Sequence, residues 1–121
     1  MKKRILVVED FEDSRAMIRV MIEKQGHSVI EAAGAYEAIA KAEEYVPDLI
    51  LMDIGLPLLD GLSTASMIKE LENLDKIPII AVTAYRDVHE QADKAGCSGV
   101  LYKPFDMLEL ETMLNKHLIG H

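Results

Sequence analysis

Leu49-Ile50-Leu51-Met52-Asp53 carries four apolar residues straight into a carboxylate, and its reading decides the fold. Short apolar runs bounded by Gly and Pro read as strands buried on both faces, the habit of parallel sheets. The same abrupt ending recurs along the chain. Ile5-Leu6-Val7-Val8 runs into Glu9-Asp10, Ile79-Ile80-Ala81-Val82 into Thr83, and Val100-Leu101-Tyr102 into Lys103. Val29-Ile30 supplies a further short strand. Ligands of open parallel sheets bind beyond the carboxyl ends of the strands. All these polar side chains are therefore expected to line one crevice.

Segments of helical spacing separate the runs. Met17, Val20 and Met21 mark one face of the first, which Gly26 ends as an αL cap. Ala35, Ala38, Ile39 and Ala42 mark the second, and Met67, Leu71 and Leu74 the third. The fourth offers only Val88, Ala92 and Ala95 before Gly96 stops it, so it is weakly anchored and a candidate moving part. The fifth opens on Asp106-Met107-Leu108-Glu109, a capping-box pattern, and is expected to bury Met107, Leu110 and Leu114. Strand then helix, five times over, predicts a single α/β domain spanning 1–121, with a parallel sheet covered on both faces and right-handed crossovers. Pro47, Pro57 and Pro78 all fall in connections.

A chain of 121 residues, half of them hydrophobic, buries a core without staples. No apolar stretch reaches the ~20 residues that span a bilayer, and Met1-Lys2-Lys3-Arg4 precedes too short a run for a secretory signal. The default expectations are a cytoplasmic address and no membrane contact. The single cysteine, Cys97, excludes an internal disulfide and a Cys-built metal site. A net charge of −8 disfavours direct nucleic-acid binding and suits a divalent cation. His27, His89, His117 and His121 match no metal spacing and read as surface residues, as do Lys24, Lys41, Lys69, Lys76 and Lys94. Tyr36, Tyr45 and Tyr85 are too dispersed to stack bases.

The strand ends together suggest chemistry. If Asp10 and Asp53 end neighbouring strands with Glu9 beside them, like charges ~4 Å apart repel by ~4 kcal/mol at an effective dielectric near 20. A cation between them relieves this, and an all-oxygen ligand set selects Mg²⁺, with Mn²⁺ or Ca²⁺ as substitutes. Lys103 offers a compact ammonium and Thr83 a hydroxyl, both suited to phosphoryl oxygens. Asp53, between the metal-binding acids and the Lys/Thr side, is the natural nucleophile for phosphoryl transfer. Taken singly, each residue has a plainer reading: helix-start acids, a loop acid, a capping hydroxyl, a structural salt bridge.

From Arg4 to about Leu118 the chain resembles a response-regulator receiver domain of the CheY type. The matching residues are Val7-Val8-Glu9-Asp10, Pro47-Asp48-Leu49-Ile50-Leu51-Met52-Asp53, Leu56-Pro57 with Asp60-Gly61, Pro78-Ile79-Ile80-Ala81-Val82-Thr83-Ala84, and Tyr102-Lys103-Pro104-Phe105. The resemblance implies a doubly wound sheet of order 2-1-3-4-5. It implies that Asp53 takes a phosphoryl group from a phosphohistidine on a sensor histidine kinase or histidine phosphotransfer protein. Asp10, Asp53 and the Gly55 backbone carbonyl would ligate Mg²⁺, with Glu9 acting through water. Lys103 would pair with the phosphoryl group, Thr83 would hydrogen-bond it, and the Lys103–Pro104 peptide would be cis. Thr83 and an inward-turning Tyr102 would switch the surface of helix four, strand five and helix five for a downstream partner or output domain. Such a switch catalyses only its own phosphorylation and dephosphorylation. A monomer is expected, with a phosphorylation-dependent dimer left open.

Phe11, Gly55 and Tyr85 depart from common usage around the acceptor, in directions that oppose one another for phosphoryl lifetime. Three other functions compete. A haloacid-dehalogenase-like phosphatase needs an Asp-x-Asp pair that Asp10-Phe11-Glu12-Asp13 fails to provide. A flavodoxin-like FMN binder needs a hydroxyl- and Gly-rich loop where this chain has acids. A receiver-like module that is never phosphorylated sits poorly with intact Asp10, Asp53, Thr83 and Lys103. The sequence leaves open a stand-alone regulator or a piece of a larger one, with Met1 favouring an amino-terminal position.

Overall fold

In the computed structural model, which describes residues 2–56 and 60–118, the five apolar runs become five parallel strands. They are β1 (Arg4–Val8), β2 (Ser28–Ala32), β3 (Leu49–Asp53), β4 (Ile79–Thr83) and β5 (Gly99–Tyr102), in the order β2-β1-β3-β4-β5. Between and after them run α1 (Glu12–Lys24), α2 (Ala35–Tyr45), α3 (Gly61–Lys69), α4 (His89–Lys94) and α5 (Met107–Leu118). The expected α/β architecture and strand order are both present.

Side chains alternate across each strand, so one sheet supplies two cores. Ile5, Val7, Leu49, Leu51, Ile80, Val82 and Leu101 pack with Ile18 and Ile22 of α1 and with Leu110, Leu114 and Leu118 of α5. Leu6, Val8, Ile50, Met52, Ile79, Ala81 and Val100 pack against α2, α3 and the buried Ala92 of α4. Central β3 and β4 are buried throughout, whereas edge strand β2 is half-buried along most of its length.

Helix faces depart from the periodic reading in three places. In α1 the buried pair is Ile18 and Ile22, while Met17 and Val20 face solvent at 61% and 49% exposure. The β-branched isoleucines take the sheet contact, and the longer methionine is left at the rim. In α3 the inward face is Gly61, Thr64, Ala65 and Ile68, with Met67 outside. That helix ends at Lys69, so Leu74 is buried from the following turns rather than from the helix. In α5, Met107 opens the helix and is exposed, leaving Leu110, Leu114 and Leu118 as the apolar stripe.

The turn chemistry agrees better. Gly26 and Gly96 both adopt positive φ, +89° and +92°, as stops after α1 and α4. Asp106 and Glu109 exchange side-chain to backbone hydrogen bonds of 3.1 and 2.8 Å, a complete capping box. Pro47 and Pro78 lie in connections, and Pro57 falls outside the described residues. Lys69 and Lys41 are not plain solvated lysines. The Lys69 ammonium donates to the carbonyls of Asp75 and Ile77 at 2.9 and 2.6 Å, and that of Lys41 donates to the Glu31 carbonyl. His27 is likewise half-buried, its Nδ1 accepting from the Lys3 N–H at 3.1 Å. His117 is also half-buried, and His121 lies outside the described residues.

Two backbone positions make the fold testable. Val46 closes α2 in the left-handed region at φ 44°, ψ 68°, which is strained for a β-branched residue and more so before a proline. Its side chain is 51% exposed, so little packing is lost on trimming it. Val46→Gly is expected to stabilise the protein by about 1 kcal/mol in urea denaturation. At Gly61 a Cβ would lie 2.5 Å from the Ile54 Cα and closer still to the Asp53 carbonyl oxygen. Gly61→Ala is expected to destabilise by about 1–3 kcal/mol in the same measurement, because backbone must move to admit one methyl.

Candidate functional site

The strand registers converge the polar ends. Val8 pairs with Met52, Asp53 with Val82, and Thr83 with Tyr102. Glu9 and Asp53 thus follow or end neighbouring strands. The Lys103 N–H donates to the Thr83 carbonyl at 2.7 Å, which carries the β4–β5 pairing one step further. One carboxylate oxygen from each of Glu9, Asp10 and Asp53 lies within 4.8 Å of the other two. The Lys103 ammonium sits 2.8 Å from Glu9 Oε1 and 3.7 Å from Asp53 Oδ2. Four of the sequence-derived residues therefore meet in one pocket.

Burial makes this meeting costly. Glu9 is 3% exposed and Asp53 9%. Burial pushes the Asp53 carboxyl up to about 6, aided by its hydrogen bond with Glu9 and the charge of Glu9, against the Gly55 N–H and Lys103. Burial also pushes Glu9 up, but hydrogen bonds with Asp53 and Lys103 outweigh it and bring Glu9 down to about 2. Lys103 is raised although burial opposes its charge, because Glu9 and Asp53 both stabilise the ammonium. Among the described residues, three clustered acids have the Lys103 ammonium beside two of them, and this shortage of positive charge is what a bound divalent ion would correct. The hard oxygen donors and their spacing fit Mg²⁺.

The surrounding turns orient the acids. The Gly55 N–H donates to Asp53 Oδ1 at 2.9 Å, and the Phe11 N–H reaches Glu9 Oε2 at 3.3 Å. Asp60 caps α3, its carboxylate accepting from the Ser63 N–H at 2.9 Å and the Ser63 hydroxyl at 3.0 Å. Gly61 then packs directly on the end of β3. The motif Asp60-Gly61 thus has a mechanical reason: the cap starts the helix, and the missing Cβ lets it start against Asp53 itself.

Thr83 is buried at the end of β4, and its Oγ1 accepts from the Tyr85 N–H at 3.0 Å. That contact is the capping role its plainer reading anticipated, and it uses the hydroxyl oxygen rather than its proton. Tyr102 is half-buried, with the Arg86 guanidinium 4.6 Å above its ring and His89 edge-on at 5.6 Å. The Lys103–Pro104 peptide is cis. Phe11 and Tyr85 are exposed, 63% and 71%, and a Cβ on Gly55 would approach Asp53 Oδ1 to 3.5 Å. The Arg15 guanidinium also belongs to the site, donating to the Glu9 carbonyl at 2.9 Å. No local motif signals a contact that depends on the turn between β1 and α1. Cys97 lies away from these groups as a buried thiol, pushed up to about 11 by burial, which fits the unreactive reading.

An apolar groove of about 500 Å³ opens beside Lys103, between α1 and the turn after β5. Met17, Met21, Pro104 and Phe105 line it, which explains why Met17 is not in the core.

Comparison with known proteins agrees with this fold. Polar-differentiation response regulator DivK of Brucella ovis is 38% identical over 109 residues, covering 88% of this chain and 89% of that protein. Among solved structures, the receiver domain of sensor histidine kinase PA1611 from Pseudomonas aeruginosa superposes with a TM-score of 0.90 at 36% identity, covering 98% of both chains. That structure has a magnesium ion coordinated in its active site cleft. Chemotaxis response regulator CheY4 of Vibrio cholerae gives a TM-score of 0.92 at 26% identity over 98% of this chain and 100% of its own. The family model for the response regulator receiver domain matches residues 5–115. The chain belongs to the response regulator receiver domain family, the signalling switches of two-component systems.

Proposed function

We propose that Asp53 is the phosphoacceptor of this receiver domain, and that the whole span 1–121 acts as one such unit. The observation that carries the reading is the meeting of the Glu9, Asp10 and Asp53 carboxylates with the Lys103 ammonium at the strand ends. The phosphoryl donor is a phosphohistidine on a sensor histidine kinase or histidine phosphotransfer protein. An Asp53 carboxylate oxygen attacks phosphorus in line as the P–N bond breaks, and the imidazole leaves with that electron pair. Hydrolysis of the resulting acyl phosphate restores the carboxylate, so the domain catalyses its own phosphorylation and dephosphorylation.

Asp10, Asp53 and the Gly55 carbonyl hold Mg²⁺ in this reading, with Glu9 acting through water and Mn²⁺ as a substitute. Bound Mg²⁺ neutralises charge on the carboxylates and on the phosphoryl oxygens. Lys103 turns from Glu9 toward the phosphoryl oxygens, and the Thr83 hydroxyl donates a further hydrogen bond. As Thr83 moves, Tyr102 turns inward and alters the face of α4, β5 and α5 that a downstream partner or output domain binds. The groove beside Lys103 gives the donor protein an apolar surface next to the acceptor. A cytoplasmic location and a monomeric resting state fit this role, with dimerisation on phosphorylation as an added state. The acidic surface is not expected to contact nucleic acid directly.

A small-molecule phosphodonor with Mg²⁺ is expected to add one phosphoryl group to the wild-type protein and none to Asp53→Asn, read by intact mass. Labelling that persists in Asp53→Asn removes the acceptor assignment. Lys103→Ala is expected to lose the phosphorylation-dependent chemical-shift changes in α4, β5 and α5.

Protons compete with the metal at this site. Mg²⁺ at 100 times its Kd should add about 2.7 kcal/mol to stability, and its affinity should fall as pH drops below about 6, where Asp53 becomes protonated. Calorimetric titration across that range checks this, and a flat profile contradicts it. Without metal the sign reverses. A raised carboxyl stabilises the fold below its ordinary value of 3.8, and that contribution is lost as pH rises through about 6. Metal-free Asp53→Asn should therefore melt higher than wild type near neutral pH, by on the order of 1 kcal/mol.

A further inference from the structure

We propose that Arg15 is a positioning residue for the metal site, acting through the Glu9 main chain. This rests on the reading above that Glu9, Asp10 and Asp53 take Mg²⁺. Glu9 leaves β1 and begins the turn into α1, so two of the three carboxylates depend on how that turn is held. Its N–H donates to the Ala32 carbonyl of β2 at 3.0 Å. Its own carbonyl precedes the helix and takes no part in the helical ladder. Arg15, one turn into α1, donates to that oxygen from Nη1 at 2.9 Å. The Arg15 N–H also donates to the Phe11 carbonyl at 2.9 Å, so the segment from Glu9 to Arg15 closes on itself through backbone and side chain.

The fork of the guanidinium makes this possible. While Nη1 holds the Glu9 carbonyl, Nε donates to Glu31 Oε1 of β2 at 3.0 Å. Arg15 is only 17% exposed on its side chain, and Glu31 31%. Its charge is matched by Glu31 and so is not aimed at the carboxylates as a rival to a divalent ion. Arg19 binds the other oxygen of Glu31 at 2.9 Å, but no hydrogen bond joins it to Glu9 among the described contacts. Arg15 and Arg19 therefore share a carboxylate and differ in the one contact that matters here. A lysine at position 15 keeps the charge but lacks the planar fork that serves both partners at once.

The test compares Arg15→Lys, Arg15→Met and Arg19→Met in the full chain, with MgCl₂ as titrant in calorimetry. Residues that orient metal ligands change affinity by about tenfold or more when lost. Both Arg15 variants are expected to raise the Mg²⁺ Kd by about that factor, and to speed amide hydrogen exchange at Asp10 and Phe11. Arg19→Met, which removes an ion pair to the same Glu31, should leave both readouts near wild type. Arg15→Lys keeps the test open if Arg15→Met does not fold. Unchanged Mg²⁺ affinity in a folded Arg15→Lys, or equal losses in Arg15 and Arg19 variants, overturns the assignment and leaves only a structural ion pair. Absence of Mg²⁺ binding by the wild-type protein instead removes the metal reading itself, and the proposal with it.

Discussion

Glu9 and Asp53 stand against each other at the ends of adjacent buried strands, with the Lys103 ammonium as the cation paired with both. Parallel pairing of β1 with β3 forces this opposition, since the register that fills the core also sets the two acids side by side. The same register that stabilises the sheet thus frustrates its edge. Lys103, delivered by β5 from across β4, relieves part of the repulsion and divides itself unequally between the two carboxylates. The strand ends thus already hold a surplus of carboxylate charge that a bound cation would neutralise.

Strands β1, β3, β4 and β5 were legible because each is short, apolar and ends on or beside a polar residue of the site, whereas β2 ends on none. The capping box at Asp106 and Glu109 and the glycine stops at Gly26 and Gly96 were legible because their chemistry is local. The inward faces of α1 and α3 were not. Met17 and Met67 have the hydrophobicity of core residues, yet Ile18 and Ile68 occupy the sheet contact one position away. Periodicity alone does not resolve a shift of one residue when both candidate stripes are apolar.

The site shows the same division. Asp10, Asp53 and Lys103 announce themselves at strand ends, whereas Arg15 acts through a backbone oxygen and Gly61 through an atom it lacks. Nor does sequence reveal that Thr83 turns its oxygen to the Tyr85 N–H, or that Tyr102 lies between Arg86 and His89. Those contacts depend on the conformation of the loop after β4, where Asp87 adopts a φ of 61°.

The seating of α3 on the backbone of Asp53 has a mechanical consequence. With no Cβ at Gly61 to act as a spacer, the start of α3 rests directly on the main chain at the end of β3. On the same face of the sheet, the short α4 buries one residue of its own, Ala92. The two helices are therefore unequally seated, α3 against main chain and α4 through one small side chain. In the phosphoacceptor role proposed for Asp53, that inequality would give a disturbance there an easier outlet through α4 than through α3.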